Sequence, residues 1–164
     1  MKNLFLLLLL LAGMRISAQV NSGGSAQIIF FDPEHDAVAI RNDTTLQLLV
    51  SEYILAKSVK AGLGQDYQVR KIYKSRSSQG DETLIFEGEF NLRIRQRFTL
   101  SIPMIPDTLG LLYYASNQAL LCSQPGCNNC SIVNGSCVGC CSSGTASAIG
   151  LPAPLLKVPM SIEQ

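Results

Sequence analysis

The sequence predicts an α+β fold, a small domain with an antiparallel β portion and one or two helices, followed by a Cys-rich module. Three observations support this fold class. Apolar and polar residues alternate over 90–102, which is the period of a strand with one buried face. Apolar residues recur at helical spacing over 43–61. All six cysteines lie between Cys122 and Cys141, in a segment with few large apolar residues.

The first eighteen residues have the organisation of a cleavable secretory signal peptide. Lys2 supplies the positive start, residues 4–12 form the apolar segment, and Ser17 and Ala18 suit a signal peptidase site. The apolar segment is shorter than the about 20 residues that a membrane-spanning helix needs. We therefore expect a mature protein that begins near Gln19 and is secreted, periplasmic or on the cell surface. The leucine run and its end resemble those of exported proteins of Gram-negative bacteria.

The α+β domain is placed at 27–118, after a polar, Gly-rich lead at 19–26. Residues 27–31 are apolar, with β-branched and aromatic side chains, and predict a strand. Asp32 and Pro33 end this strand, because proline restricts the preceding residue and cannot donate to a ladder.

The segment 43–61 predicts the main helix, since its apolar residues follow the spacing of one helix face. Asp43 or Thr44 is suited to cap its first turn. Gly62 or Gly64 is suited to close its end.

The β portion is predicted from three further segments. Residues 67–74 mix apolar and basic side chains and form a strand or a short helix. Alternation over 84–102 predicts strands with an apolar face and a solvated face that carries Arg93 and Arg95, and Glu87-Gly88-Glu89 is expected to turn one strand into the next. Residues 109–121 form a second helix or a buried strand. The expected buried set is Phe90, Leu92, Ile94, Phe98, Leu100 and Ile102.

The Cys-rich module is placed at 119–143 and has the pattern C-x4-C-x2-C-x6-C-x2-C-C. An even number of cysteines at this density in an exported protein indicates disulfides, and spacing does not select among the 15 pairings. Zinc is the alternative, because the two C-x2-C knuckles offer four thiolates. A thiol–disulfide redox role is a third interpretation. The cysteines concerned are Cys122, Cys127, Cys130, Cys137, Cys140 and Cys141. A Pro-containing apolar tail, expected to be extended, follows at 144–164.

A second candidate site is the turn that contains Asp32, Glu34, His35 and Asp36. Carboxylates beside the chain's one imidazole can ligate a divalent cation. The alternative is a solvated turn, since Asp and Pro are common in turns.

The charge balance and the motifs exclude several function classes. The mature chain is close to neutral, so it has no global electrostatic reason to bind nucleic acid. Nine of the 13 basic residues lie between Lys57 and Arg97, which form either a local basic face or a plain solvated strand face. The chain contains no G-x-S-x-G, Walker A or H-E-x-x-H motif.

Residues 1–62 resemble the start of minor pilus subunits of conjugal (type IV) secretion systems. The resemblance rests on a signal peptide, the motif Ile28-Ile29-Phe30-Phe31-Asp32-Pro33, and the helix predicted after it. It implies an extracytoplasmic, non-enzymatic role in assembly or adhesion. That family is mostly helical, whereas residues 84–102 here predict strands.

We therefore expect an exported, non-enzymatic structural or interaction protein of the cell envelope or surface, without a cofactor. Its expected partners are other envelope or surface proteins, with a membrane surface as a second partner class and no nucleic acid. Two alternatives stay open. One is a metal-binding protein that uses the thiolate cluster, with zinc as the metal. The other is an exported enzyme of unknown reaction.

Overall fold

The computed structural model describes residues 29–90, 96–123, 130–133, 136–139, 149–152 and 155–160. Over these residues the protein is mostly antiparallel β, with one α-helix. The elements in chain order are β1 (Ile29–Phe31), β2 (Ala39–Asn42), β3 (Thr45–Leu48), α1 (Glu52–Leu63), β4 (Tyr67–Arg76), β5 (Glu82–Phe90), β6 (Gln96–Pro106), β7 (Leu112–Ala115), β8 (Gln118–Ser123), β9 (Ser131–Val133), β10 (Ser136–Val138), β11 (Ile149–Pro152) and β12 (Val158–Met160).

Strand β6 lies at the centre of the molecule and pairs with three other strands. β5 runs along one edge of β6. Along the other edge lie β8 and then β7, which act as one strand interrupted at residues 116–117. The amide of Ser116 donates to the carbonyl oxygen of Pro103 at 2.8 Å, so pairing with β6 continues through the interruption. A strand with partners on both edges leaves few backbone groups to be satisfied elsewhere.

Two series of hydrogen-bonded strands meet at β6. One is β4-β5-β6-β8-β11 and the other is β3-β2-β7-β6. β3 and β4 are thus the two ends of a path of six strands, about 24 Å apart if the path were flat. The ammonium group of Lys74 in β4 nevertheless donates to the carbonyl oxygen of Leu46 in β3. The path must therefore curve strongly and bring its end strands together.

A polar network spans the concave side of this curve. Nη2 of Arg41 donates to Oε1 of Glu82 at 2.9 Å, and Nε of Arg41 donates to the hydroxyl of Tyr113 at 2.8 Å. Arg76 approaches the same carboxylate at 3.5 Å. Glu82 is buried, so its charge depends on these partners. The network joins β2, β5, β7 and β4.

The concave side also holds the main core. Its fully buried large side chains come from several strands and from α1, and they include Phe31, Phe86, Phe98, Leu55, Leu84, Leu100 and Ile102. Phe98, Leu100 and Ile102 are buried as predicted, while Phe90 is half-buried. Leu92, Ile94, Arg93 and Arg95 lie outside the described residues.

The tail after the Cys-rich region completes this core. β12 pairs with β1, and β11 pairs with β8. Leu155 and Val158 are buried in the main core. Ser58 of α1 is fully buried, and its hydroxyl donates to the carbonyl oxygen of Leu156 at 2.7 Å. The described part of the tail is therefore docked on the domain: β11 extends the large sheet next to β8, and β12 forms a two-stranded sheet with β1.

The helix predicted over 43–61 is wrong in its first half. Residues Ala39–Leu48 form the β2–β3 hairpin, with Asp43 at φ 52° in the turn, and the helix starts after its N-cap Ser51. Asp tolerates a left-handed conformation, and Leu46 and Leu48 also fit a period of two. Gly64 ends the helix as predicted, and its amide donates to the carbonyl oxygen of Lys60 at 3.0 Å.

Other segments resolve alternatives or correct the prediction. Residues 67–74 lie in the strand β4, and 109–121 contribute the strands β7 and β8 rather than a second helix. Gly88 lies inside β5, not in a turn. A methyl group on Gly88 would collide with the carbonyl oxygen of Gln68 and lie 2.6 Å from Cε1 of Phe98. Glycine is needed here because the register of β4 shifts beside it, between residues 69 and 71.

Replacing Gly88 with Ala should destabilise the fold by about 1–3 kcal/mol, because the added carbon overpacks the space between Gln68 and Phe98. Urea unfolding followed by circular dichroism measures the loss. The control is Gly62→Ala at an exposed position in α1, where alanine should stabilise the helix by up to about 1 kcal/mol. If neither variant differed from wild type in its free energy of unfolding, the close approach at Gly88 would be contradicted.

Candidate functional site

The face of the central sheet opposite the core is also buried. We call it the back face and define it by Thr99, Ser101 and Cys122. Thr99 and Ser101 on β6 are only 5 and 8% exposed, and Cys122 beside Thr99 on β8 is fully buried. The predicted alternation placed this face in solvent, which is wrong for these residues. Small polar side chains on a buried face need a cover that also accepts their hydrogen bonds.

The cover is supplied by the β9–β10 hairpin of the Cys-rich region. Cys122 is bonded to Cys137 of β10, with 5.6 Å between their α-carbons. The hydroxyl of Thr99 donates to the carbonyl oxygen of Cys130 at 2.9 Å. Ile132 packs against the small cluster formed by Cys122 and Cys130. The hairpin is thus held to β8 by the disulfide and by apolar contact, and a hydrogen bond joins Cys130, next to β9, to β6.

All cysteines that the structure describes are oxidised. Cys122, Cys130 and Cys137 are disulfide-bonded, and none of the described cysteines is a free thiol. Cys127, Cys140 and Cys141 lie outside the described residues. A disulfide sulfur is not a thiolate ligand, so each predicted C-x2-C knuckle has one member that is committed to a disulfide. The bonds indicate an oxidising environment.

A groove of about 310 Å³ lies beside the hairpin, between it and the end of the β4–β5–β6 ladder. The charged side chains that line it are Arg70, Lys71, Arg97, Glu87 and Glu89. Arg70 pairs with Glu89 at 3.5 Å, and the hydroxyl of Tyr73 donates to Glu87 at 2.8 Å. Lys71 lies 4.6 Å from the centroid of the Tyr73 ring. The positive and negative side chains largely offset one another, so the groove does not have the concentrated positive charge of an anion-binding site.

Tyr73, which contacts two of the groove's charged side chains, is itself partly buried. Burial, followed by the hydrogen bond to Glu87, raises the pKa of Tyr73 to about 12. Tyr73 is therefore a neutral hydrogen-bond donor at physiological pH and does not act as a base there.

The basic residues predicted over 57–97 mostly bind groups of the same chain. Lys57 donates to the carbonyl oxygen of Pro159, Lys74 to that of Leu46, and Arg76 pairs with Glu82. Together with the partners of Arg70 and Lys71, these contacts engage most of the basic residues described in this range, which weighs against the alternative of a local basic face.

The turn that follows β1 brings three predicted metal ligands together. The ligand atoms of Asp32, Glu34 and His35 lie within 4.8 Å of one another. The fourth predicted residue, Asp36, instead accepts the amide of Asp32 at 2.7 Å through Oδ2. The carboxylate of Asp32 also binds Lys157 of the tail at 3.2 Å, and His35 is exposed. The arrangement fits a hydrogen-bonded turn that fixes the start of the tail strand.

Lys157 changes the acidity of this turn. Its hydrogen bond is the largest cause that holds the pKa of Asp32 below its ordinary value, and the amide of Glu34 and the ring of His35 act in the same direction. The ammonium group of Lys157 also lies 5.8 Å from the centroid of the Phe30 ring. The tail is therefore attached to β1 by charge as well as by strand pairing.

One surface feature was missed in the sequence prediction. Residues 98–156 contain a single charged residue, Asp107. Within this neutral stretch, the hairpin end between β6 and β7 exposes three large aliphatic side chains, Ile105, Leu109 and Leu111. The length of the uncharged stretch is visible in the sequence and was the signal that could have identified this surface.

Comparisons of this chain with protein-family models, with curated proteins and with solved structures find no match. In the part of the chain that the structure describes, no helix has the length and hydrophobicity to cross a bilayer.

Removing the disulfide by the double substitution Cys122→Ala and Cys137→Ala should destabilise the protein by about 3 kcal/mol, because the bond closes a loop with a sequence separation of 15 residues. Urea unfolding of both proteins gives the difference. Val138→Ala, at a part-exposed position next to Cys137, is the control and should change stability by less than about 0.5 kcal/mol. A double variant as stable as wild type would show that the bond does not constrain the fold.

Replacing Lys157 with Met should make the free energy of unfolding vary less with pH in the acidic range. Because the pKa of Asp32 is lowered in the fold, its contribution is fully present above the unfolded value of about 4 and is lost as the pH falls through the folded value. The difference in stability between wild type and Lys157→Met should therefore narrow as the pH is lowered from about 6 to about 3. Lys57→Met is the control, because the lost partner is the carbonyl oxygen of Pro159, which does not titrate. The difference in stability between wild type and Lys57→Met should therefore stay constant over the same pH range. A constant difference for Lys157→Met as well would refute the linkage.

Proposed function

We propose that the mature protein is an exported, non-enzymatic structural or interaction component of the cell envelope or surface. The observation that carries this proposal is the disulfide between Cys122 and Cys137, which lies in the fold itself and attaches the β9–β10 hairpin to the back face. A protein whose sheet is covered in this way folds in an oxidising compartment. The signal peptide at 1–18 is the predicted route to such a compartment.

The arrangement of polar groups supports a structural role over a catalytic one. The chain's one histidine, His35, lies on an exposed turn next to Asp32. The buried carboxylate of Glu82 is paired with Arg41, and in the groove Arg70 is paired with Glu89. Catalytic groups usually converge on a water-shielded pocket with unpaired or strongly perturbed members. Here the described polar groups join strands to one another.

The proposal has one narrower form and one alternative. A place in a secretion or pilus assembly is the narrower form of the proposal, and its support is the resemblance of residues 1–62 to minor pilus subunits. Thiolate-based metal binding is the alternative. It would need the six cysteines to be reduced, whereas Cys122, Cys130 and Cys137 are disulfide-bonded in the structure.

The test is to express the full chain in a host that exports proteins through its envelope, and to measure the intact mass after alkylation without a reductant. We expect a species that begins near Gln19 and carries no label, since all of its cysteines would be oxidised. Labels at all six cysteines that appear only after a chelator is added would establish the metal alternative. Six labels at once, on a species that still carries Met1, would overturn both export and oxidation.

A further inference from the structure

The hairpin end between β6 and β7 presents apolar side chains to solvent. We call this surface the apolar turn and define it as residues 105–111. Ile105, Leu109 and Leu111 are 55, 77 and 49% exposed. Leu109, at the tip, is the most exposed large hydrophobic residue that the structure describes. These three side chains lie within seven residues at one hairpin end, whereas the exposed leucines that are common on protein surfaces are isolated along the chain.

The backbone of the apolar turn is ordered and satisfies its own hydrogen bonds. The carboxylate of Asp107 accepts the amides of Leu111 at 2.8 Å and Leu112 at 3.3 Å. The amide of Gly110 donates to the carbonyl oxygen of Asp107 at 3.0 Å, with Gly110 at φ 68°. The amide of Asp107 donates to the carbonyl oxygen of Leu112 at 2.8 Å. These internal bonds reduce the cost of moving the turn out of water.

The surroundings of the apolar turn in the sequence are free of other charges. Asp107 is the single charged residue in 98–156, and its carboxylate is engaged inside the turn. No basic residue of this stretch is therefore available to attract an anionic partner. Across the sheet, the amide of Arg41 donates to the carbonyl oxygen of Leu111, and its guanidinium group is engaged by Glu82 and Tyr113. We therefore expect an occupant of this surface to be recognised through apolar contact.

We propose that the apolar turn inserts into the interfacial region of a lipid bilayer, and that this binding requires no anionic lipid. Three side chains expose on the order of a few hundred Å², well below the about 800 Å² that each partner buries in a standard protein interface. A deformable apolar medium suits a narrow, projecting tip better than a flat protein surface does. Ile105, Leu109 and Leu111 would enter the membrane boundary while charged groups such as Arg41 and Glu82 stay outside the lipid.

This inference rests on the proposed function, because an exported envelope protein is the kind that meets a membrane surface. Its test uses the purified, oxidised mature protein and added vesicles, so the result does not depend on whether export occurs. Failure to bind vesicles and failure to be exported are therefore separate outcomes.

The absence of tryptophan from the chain allows a direct measurement of insertion. Leu109→Trp places the chain's sole indole at the tip, and Leu49→Trp places it at another exposed position, 51% exposed and outside the apolar turn. With vesicles of pure phosphatidylcholine we expect a blue shift of the emission of Leu109→Trp and none for Leu49→Trp, because only the first indole leaves water. Equal shifts in both variants, or no shift in either, would overturn the proposal.

A binding measurement with the tryptophan-free protein completes the test. Leu109→Ser with Leu111→Ser should lower partitioning onto phosphatidylcholine vesicles at least about ten-fold, while Leu49→Ser with Leu156→Ser should leave it unchanged. Binding should not change with salt or with added phosphatidylglycerol. Binding to anionic vesicles alone would assign the contact to the basic residues and overturn the proposal. The proposal would also be overturned if the wild-type protein did not bind vesicles but associated with itself or with another protein, and the turn variant did not.

Discussion

Residues 98–102 of β6 are buried on both faces of the sheet, and the rest of the structure follows from that constraint. One face carries Phe98, Leu100 and Ile102 into the main core, and the other carries Thr99 and Ser101. The second set is small and polar, so its cover must supply hydrogen bonds as well as exclude water. The carbonyl oxygen of Cys130 accepts the hydroxyl of Thr99 and meets the first need.

The cover itself cannot be held by apolar contact alone. β9 and β10 are strands of three residues each, and a two-stranded hairpin of this size is marginal in water. Ile132 is its one aliphatic contact with the Cys122–Cys130 cluster among the described residues. The bond between Cys122 and Cys137 compensates, because it keeps the hairpin at the sheet whatever the strength of its side-chain contacts. The Cys-rich region is therefore part of the fold and not an appendage to it.

The sequence could predict what depends on local pattern. The alternation in β6, the strand β1 and the oxidised state of the described cysteines follow from periodicity, turn residues and cysteine density. Long-range pairing could not be predicted in this way. The burial of Thr99 depends on Cys130, and that of Phe31 on Val158 of the tail, which pairs with it from the far end of the chain. The β2–β3 hairpin was missed because Leu46 lies at helical spacing from Leu49 and Val50 and also at strand spacing from Leu48. The spacing of six cysteines did not identify the partner of Cys122.

A disulfide within the fold indicates an oxidising environment, which is consistent with an exported protein. The central claim is that the disulfide-linked hairpin and the sheet form one cooperative unit. Hydrogen–deuterium exchange of the mature protein, compared before and after reduction of its disulfides, tests this claim most directly. The account predicts faster exchange throughout β5, β6 and β8 once the hairpin is released. Faster exchange confined to residues 130–139, with the sheet protected as before, would contradict it.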